Sequence, residues 1–111
     1  MRIVPLRKSA SGVFDAAGRA TARLRPERFN EEWQIDLTSV NSTSTLTTGC
    51  SVYRNSEADT NFIEASVFNG NKDTSDSPYE LAPGEELLYI WTGGTPGRVA
   101  TVSVRGKVMI R

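Results

Sequence analysis

Histidine is absent from this chain, and cysteine occurs once, at Cys50. Without histidine the sequence cannot build a Ser-His-Asp or Cys-His catalytic group, and it lacks the commonest metal ligand. A single cysteine excludes an intrachain disulfide and a cysteine-rich structural zinc site. We therefore predict that the chain is not an enzyme, that it has no catalytic residues, and that it holds no metal or other cofactor.

Long hydrophobic runs are also missing, since no stretch approaches the roughly 20 apolar residues of a membrane-spanning helix. Residues 1–12 carry positive charges but no apolar segment before a small-residue cleavage site, so no signal peptide is predicted. A lone cysteine is consistent with synthesis in a reducing compartment. These absences predict a protein made in the cytoplasm, with no membrane partner.

Helical periodicity is the third absence, because no window places apolar residues at i, i+3, i+4 and i+7 behind a capping signal. Ser and Thr together number 22, with nine Gly and five Pro, a mixture typical of strands joined by turns. The length of 111 residues fits one domain. We predict an all-β fold, a single-domain β-sandwich or jelly roll of about seven or eight antiparallel strands.

Strict alternation is clearest in residues 31–38, where Trp33, Ile35 and Leu37 are predicted to face the core and Thr38 to face water. Cys50 lies in a second short strand of this kind. Because no histidine is present to activate it, the pattern favours a buried, inert thiol.

Residues 86–92 are apolar on both faces, which indicates a strand that is central in its sheet or covered by a partner. Tyr89 and Trp91 share one of these faces. They could form a platform that stacks on a sugar, although packing in the core or an interface explains them more simply.

Residues 69–78 are predicted to be a long turn-rich segment. Oxygen-bearing side chains recur there at alternate positions, as in a calcium-binding loop. However, Thr74 stands where such a loop requires glycine, and no helices flank it. An Asn/Asp/Gly-rich turn is therefore preferred to a calcium site.

Residues 1–12 are predicted to be an N-terminal arm or an edge strand, and residues 13–111 the β-sandwich domain. Pro5 lacks a backbone donor, which restricts this segment to a sheet edge or an extended tail. An arm of this composition, laid on a neighbouring acidic surface, could be deleted without unfolding the domain. Its candidate interaction residues are Arg2, Ile3, Val4, Leu6, Arg7 and Lys8.

Charge is strongly segregated, although the formal net charge is zero. Residues 1–28 carry seven Lys or Arg and two acids. Residues 29–86 carry two Lys or Arg and eleven acids, and residues 87–111 carry four Lys or Arg and no acid. Such blocks can even out on folding, or they can form a basic edge and an acidic face suited to contact with other copies. Arg23 and Arg25 are further candidate interaction residues. The balanced charge does not suit a nucleic-acid partner.

Four segments resemble small β-rich proteins encoded by tailed bacteriophages of actinobacteria. They are a Cys-x-Val-Tyr strand (Cys50 to Tyr53), a polar loop (Gly70 to Asp76), a Pro-Gly turn (Leu81 to Glu85) and a Gly-rich hairpin (Trp91 to Gly97). Residues 1–30 lie outside the resemblance, and its motifs are turns and core positions rather than catalytic groups. The resemblance implies a β-sandwich and a place in the virion.

These observations together favour a virion structural protein that binds the capsid or tail in multiple copies, as in capsid decoration. Its expected partners are other virion proteins and copies of itself, in a homo-oligomer or symmetric array. The main alternative is a receptor- or glycan-binding module at a tail tip or fibre. An unrelated cytoplasmic β-domain is a third possibility.

Overall fold

The computed structural model of this chain describes residues 1–67 and 72–111, without the side chains of residues 65–67. Its strands are β1 (Arg2–Val13), β2 (Ala20–Leu24), β3 (Glu31–Ser42), β4 (Gly49–Arg54), β5 (Phe62–Val67), β6 (Lys72–Ser75), β7 (Tyr79–Leu81), β8 (Leu87–Thr92) and β9 (Val99–Ile110). One turn of 3₁₀ helix, Asp59–Asn61, precedes β5. The predicted all-β fold is confirmed.

Two antiparallel sheets form a β-sandwich. Sheet one has the order β1-β9-β3-β6, and β7 pairs with residues 33–35 on the same edge of β3 that β6 occupies at residues 38–41. Sheet two has the order β2-β8-β4-β5. Residues 72–75 form β6, where the sequence predicted part of a turn-rich segment, because they pair with residues 38–41 of β3. Asn69, at the start of the calcium-like loop, lies outside the described residues.

The core lies between the sheets and is built from their inward faces. Its largest fully buried side chains include Trp33 from sheet one and Tyr89 and Trp91 from sheet two. On β9 the apolar residues at alternate positions, Ala100, Val102, Val104 and Val108, are buried, as period-two alternation of the sequence indicates. Burial of this apolar area is the main stabilising contribution to the fold.

A β-bulge interrupts the alternation of β3. The register with β9 shifts between Ile35 and Leu37, so Asp36 is the extra residue. Beyond the bulge the two faces are exchanged: Thr38 is 4% exposed, whereas Leu37 is half-buried on the outer face. The predicted inward position of Leu37 and outward position of Thr38 were therefore wrong.

Residues 2–13 form an edge strand and not an arm. β1 pairs with β9 along its whole length, from Arg2 opposite Ile110 to Val13 opposite Val99. Leu6 is 1% exposed and belongs to the core, with Val4 and Ala10 packed against it. The expectation that this segment is dispensable for folding is therefore not supported by the structure.

β1 also approaches the edge of sheet two closely. A Cβ atom added at Gly12 would lie 2.2 Å from the backbone oxygen of Thr21 on β2. Only glycine permits this approach. It brings the two edge strands together and closes this side of the sandwich.

The opposite face of β8 is covered as well. Leu88 and Ile90 point away from the core, yet each is only 4% exposed. The loop between β4 and β5 reaches back across β8, since its Glu57 forms an ion pair with Arg19, the residue before β2. β8 is thus central in its sheet and covered on both faces, which explains why both of its faces are apolar.

Candidate functional site

The structure separates the predicted interaction residues into three groups. Arg2, Ile3, Arg7, Lys8, Arg23 and Arg25 are exposed, Val4 is half-buried, and Leu6, Tyr89 and Trp91 are buried in the core. The last three cannot contact a partner in this fold. The predicted interaction role of these three residues was therefore wrong, and they are structural.

Tyr89 and Trp91 do not form a sugar-stacking platform. Both are 0% exposed, and their rings lie 6.3 Å apart inside the sandwich. The reason is the central position of β8, which turns its aromatic face toward sheet one. The simpler core interpretation of these two residues is confirmed.

Charges of opposite sign lie on opposite sides of the sandwich. β1 and β2 are the edge strands of the two sheets on one side, here called the basic side. β5, β6 and β7 lie on the other, here called the acidic side. The basic N-terminal block of the sequence supplies the first side. Four acids of the middle block, Glu64, Asp73, Asp76 and Glu80, lie on the second side together with Lys72.

Three ion pairs compensate part of the basic side. Lys8 donates to Glu27 at 2.7 Å, Arg19 pairs with Glu57, and Arg23 pairs with Glu86. Lys8 also lowers the pKa of Glu27 through their hydrogen bond and charge attraction. Exposed pairs of this kind contribute little to stability.

A basic cluster, defined as Arg7, Arg105 and Lys107, lies on the outer face of sheet one. Arg7 stands directly opposite Arg105 on β9, and Lys107 follows on the same face. Within the described residues, none of the three has a carboxylate within ion-pair distance. The nearby Asp36 accepts a hydrogen bond from Gln34. Like charges opposite one another are destabilising unless an anion lies between them.

Sequence reasoning identified Arg7 but missed Arg105 and Lys107. The available signal was their spacing, because two cations two residues apart in a strand share a face. Their proximity to Arg7 depended on the pairing of the first strand with the last, which local pattern does not reveal.

An acidic cleft opens between the sheets on the acidic side. It has a volume of about 270 Å³ and is lined by Thr38, Val40, Cys50, Val52, Glu64, Asp73, Thr74, Ser75 and Asp76. The Ser75 hydroxyl donates to Glu64 at 3.2 Å, and a carboxylate oxygen of Asp73 accepts from the Thr74 amide at 2.8 Å. None of the three carboxylates has a cation within 4 Å in the part of the chain that the structure describes.

Buried hydroxyl groups surround the floor of this cleft. Those of Thr38, Tyr79 and Tyr89 have no hydrogen-bond partner among the described residues. Burial raises the pKa of Tyr79 and of Tyr89, and the neighbouring Glu64 raises that of Tyr79 further. The Tyr79 hydroxyl lies beside Glu64 and Ser75, and of the three hydroxyls that of Thr38 belongs to the lining of the cleft.

Cys50 lies at the inner wall of the cleft and is 2% exposed. Burial raises the pKa of its thiol to about 12, and the charge of Glu64 acts in the same direction. The predicted buried position is confirmed. A thiol with so high a pKa is a weak nucleophile at neutral pH.

The cleft is lined mainly by side chains that carry oxygen atoms. Among residues 1–67 and 72–111, no group of three His, Cys, Asp or Glu residues could hold a metal ion. Carboxylate and hydroxyl oxygens can instead accept hydrogen bonds from a cation rich in donors.

A second hollow lies at one end of the sandwich, beside Phe29. This ring is 91% exposed and lines the hollow with Arg25, Arg28, Pro83 and other residues of the adjoining turns. Exposed aromatic rings beside arginine are common anchors at protein interfaces. Phe29 was missed in the sequence, where its signal is a lone apolar residue among charged ones.

No protein-family model and no curated protein sequence matches this chain. Among solved structures, the Yersinia pseudotuberculosis-derived mitogen is 11% identical, with a TM-score of 0.52 over 91% of this chain and 86% of the mitogen. The pre-peptidase C-terminal domain of a Bacillus anthracis collagenase is 14% identical, with a TM-score of 0.48 over 91% and 90%. The likeness to the mitogen shows the two-sheet fold alone. No helix in the described residues is long and apolar enough to cross a membrane.

Proposed function

We propose that this chain is a non-enzymatic virion structural protein that binds the capsid or tail in multiple copies. The observation that carries the proposal is the separation of unpaired charges. Arg7 and Arg105 lie on the outer face of sheet one, whereas Glu64, Asp73 and Asp76 line the cleft between the two sheets.

Unpaired charges of opposite sign on opposite sides suit repeated contact between copies. Each copy offers a basic surface to one neighbour and an acidic surface to another, which is a head-to-tail arrangement. Such charge complementarity also guides partners into the correct orientation. The motif resemblance to phage proteins supports the virion as the place where the copies assemble.

A receptor- or glycan-binding role at a tail tip or fibre is the second candidate. The burial of Tyr89 and Trp91 weakens this candidate, because those two rings were the predicted sugar-stacking platform. The exposed Phe29 and the polar cleft are the features that favour it. A sugar would then be bound by hydrogen bonds to the cleft oxygens.

Quantitative mass spectrometry of purified, nuclease-treated particles of the encoding phage tests the proposal. We expect the chain in the particles, in many copies per virion, with the major capsid protein as the internal reference. Hundreds of copies indicate the head, and a number matching the tail tube indicates the tail. A handful of copies would favour the tail-tip alternative, and absence from the particles would overturn the virion role.

A further inference from the structure

We propose that the acidic cleft binds the guanidinium group of an arginine side chain, supplied by the basic cluster of a second copy of this chain. The inference deepens the proposed assembly role and rests on it. It assigns the contact that joins one copy to the next.

The cleft carries three carboxylates. Glu64 is half-buried, Asp73 and Asp76 stand beside it, and none of them has a cation within 4 Å among the described residues. Carboxylates gathered at a partly desolvated site repel one another, and a bound cation relieves this repulsion. The electrostatics therefore favour a cationic ligand over a neutral one.

A guanidinium group supplies N–H donors, and the oxygen atoms of the cleft can accept hydrogen bonds from them. Thr38 is 4% exposed, lines the cleft and has an unpartnered hydroxyl within the described structure. Guanidinium is planar and presents five N–H donors, which can reach carboxylate and hydroxyl oxygens together. A volume of about 270 Å³ accommodates the end of one side chain but not a large ligand.

The basic cluster supplies the matching group. Arg7 and Arg105 stand opposite one another, exposed and without a carboxylate within ion-pair distance in the described chain. At a cross-strand spacing of about 5 Å their charges oppose the pairing of β1 with β9. An acidic partner removes that conflict. The cluster lies on the outer face of sheet one, whereas the buried Thr38 and Cys50 line the cleft between the two sheets.

The backbone of β1 is protected from a different kind of contact, the addition of a partner strand. Pro5 lacks an N–H donor, and Lys8 is on the same face of β1 as the buried Leu6, the face turned toward the other sheet. Prolines and inward-pointing charges at sheet edges prevent edge-to-edge pairing. Contact on this side is therefore made by side chains.

Charge-reversal variants test the contact in purified protein. Arg7→Glu with Arg105→Glu disables the basic cluster, and Asp73→Lys with Asp76→Lys disables the cleft. Sedimentation velocity at low ionic strength should show concentration-dependent association of the wild type. Each double variant alone should associate at least about tenfold more weakly, because repulsion replaces attraction. Circular dichroism and thermal melts establish that each variant is folded.

Mixing the two double variants gives the sharpest outcome. Each retains one intact surface, and the two reversed surfaces carry opposite charges, so an equimolar mixture should associate far more strongly than either variant alone. Matched controls are Arg98→Glu and Asp59→Lys, which reverse exposed charges elsewhere and should associate as the wild type does. A monomeric wild type, or a mixture that associates no better than either variant alone, would overturn the inference.

A small-molecule probe tests the cleft by itself. Titration with L-arginine should shift the backbone amide resonances of Thr38 and Ser75, and L-citrulline, its neutral isostere, should not. Equal shifts with both, or none with either, would contradict guanidinium recognition. If mass spectrometry detects the chain in virions but the association and arginine tests fail, only the assignment of the cleft is overturned. If they succeed but the chain is absent from particles, only the virion role falls.

Discussion

Trp33 and Cys50 lie on the inward faces of different sheets, Trp33 in β3 and Cys50 in β4. Both are almost completely buried, at 1% and 2% exposure. At the scale of single residues, these two positions report on different properties of the core. Trp33 contributes its large apolar volume, whereas Cys50 contributes a thiol that must stay protonated.

Replacing Trp33 with alanine should lower the free energy of unfolding by about 3–5 kcal/mol, because it removes a large buried aromatic group and leaves a cavity. Denaturant melts of the wild type and the Trp33→Ala variant measure the difference. Phe29→Ala is the control, since that ring is 91% exposed. A loss below about 1 kcal/mol at Trp33 would mean that its side chain is not in the core.

Stability should fall at alkaline pH. The folded-state pKa of Cys50 is raised from its usual 9.0 to about 12, so folding retains a proton that the unfolded chain releases. The stabilisation is complete below about pH 9 and is lost as the pH rises toward 12. Between these limits one such thiol contributes a slope of about 1.4 kcal/mol per pH unit.

Denaturant melts at several pH values between 8 and 11 test this slope. The raised pKa values of the buried Tyr79 and Tyr89 act in the same direction. Cys50→Ala should therefore show a shallower decline than the wild type, but still a decline. Identical slopes in the two proteins would place the thiol in contact with solvent.

β1 and β9 determine the architecture at the scale of elements, because each provides 12 residues to one continuous antiparallel pair. This pair joins the two ends of the chain. β9 in turn pairs with β3 around the bulge at Asp36. Sheet one therefore depends on contacts between residues far apart in the sequence.

Deleting residues 1–10 should unfold the domain or lower its thermal midpoint by well over 10 °C. The deletion removes the buried Leu6 and leaves the backbone N–H and C=O groups along one edge of β9 without partners. A loss of several kcal/mol shifts the midpoint of a domain of this size by roughly 4–8 °C for each kcal/mol. A truncated protein with an unchanged midpoint would restore the interpretation of this segment as an arm.

Gly106→Ala should destabilise the fold by about 2 kcal/mol or more, because overpacking against backbone has few ways to relax. An added Cβ would lie 1.9 Å from the backbone oxygen of Gln34, next to the bulge. Gly97→Ala is the matched control. That residue has a φ of 84° but no neighbour within 4 Å of an added Cβ, so only backbone strain opposes the change. Its cost should be about 1 kcal/mol.

At the scale of the whole molecule, the net charge is zero, but positive and negative charges are concentrated in different parts of the surface. The basic side contains β1 and β2, and the acidic side contains β5 to β7. Only part of the charge is compensated by ion pairs inside one copy. What remains is available for contacts between molecules, which the two proposals above describe.

Rising salt should therefore weaken the attachment of this protein to its particle. At about 1 M ionic strength the screening length falls to about 3 Å, shorter than most charge separations across an interface. Particles washed at increasing salt and then counted by mass spectrometry should lose the protein progressively. Retention at every salt concentration would indicate an interface held by apolar contacts.

Much of the fold followed from the sequence because period-two alternation and turn chemistry are local properties. The strand pattern of β9 needed no tertiary information, and neither did the tight turn at Ala82 to Glu85. In that turn the Glu85 amide donates to the Ala82 oxygen and Gly84 has a φ of 87°. The buried positions of Trp33 and Cys50 followed from the same alternation.

Tertiary structure alone decided the features that depend on distant pairing. The bulge at Asp36 exchanged the faces of Leu37 and Thr38, and no local pattern marks it. Leu6 became a core residue because the first strand pairs with the last. The same pairing formed the basic cluster, and the stacking of two sheets formed the acidic cleft. Both sites combine residues far apart in the chain, and only packing brings such residues together.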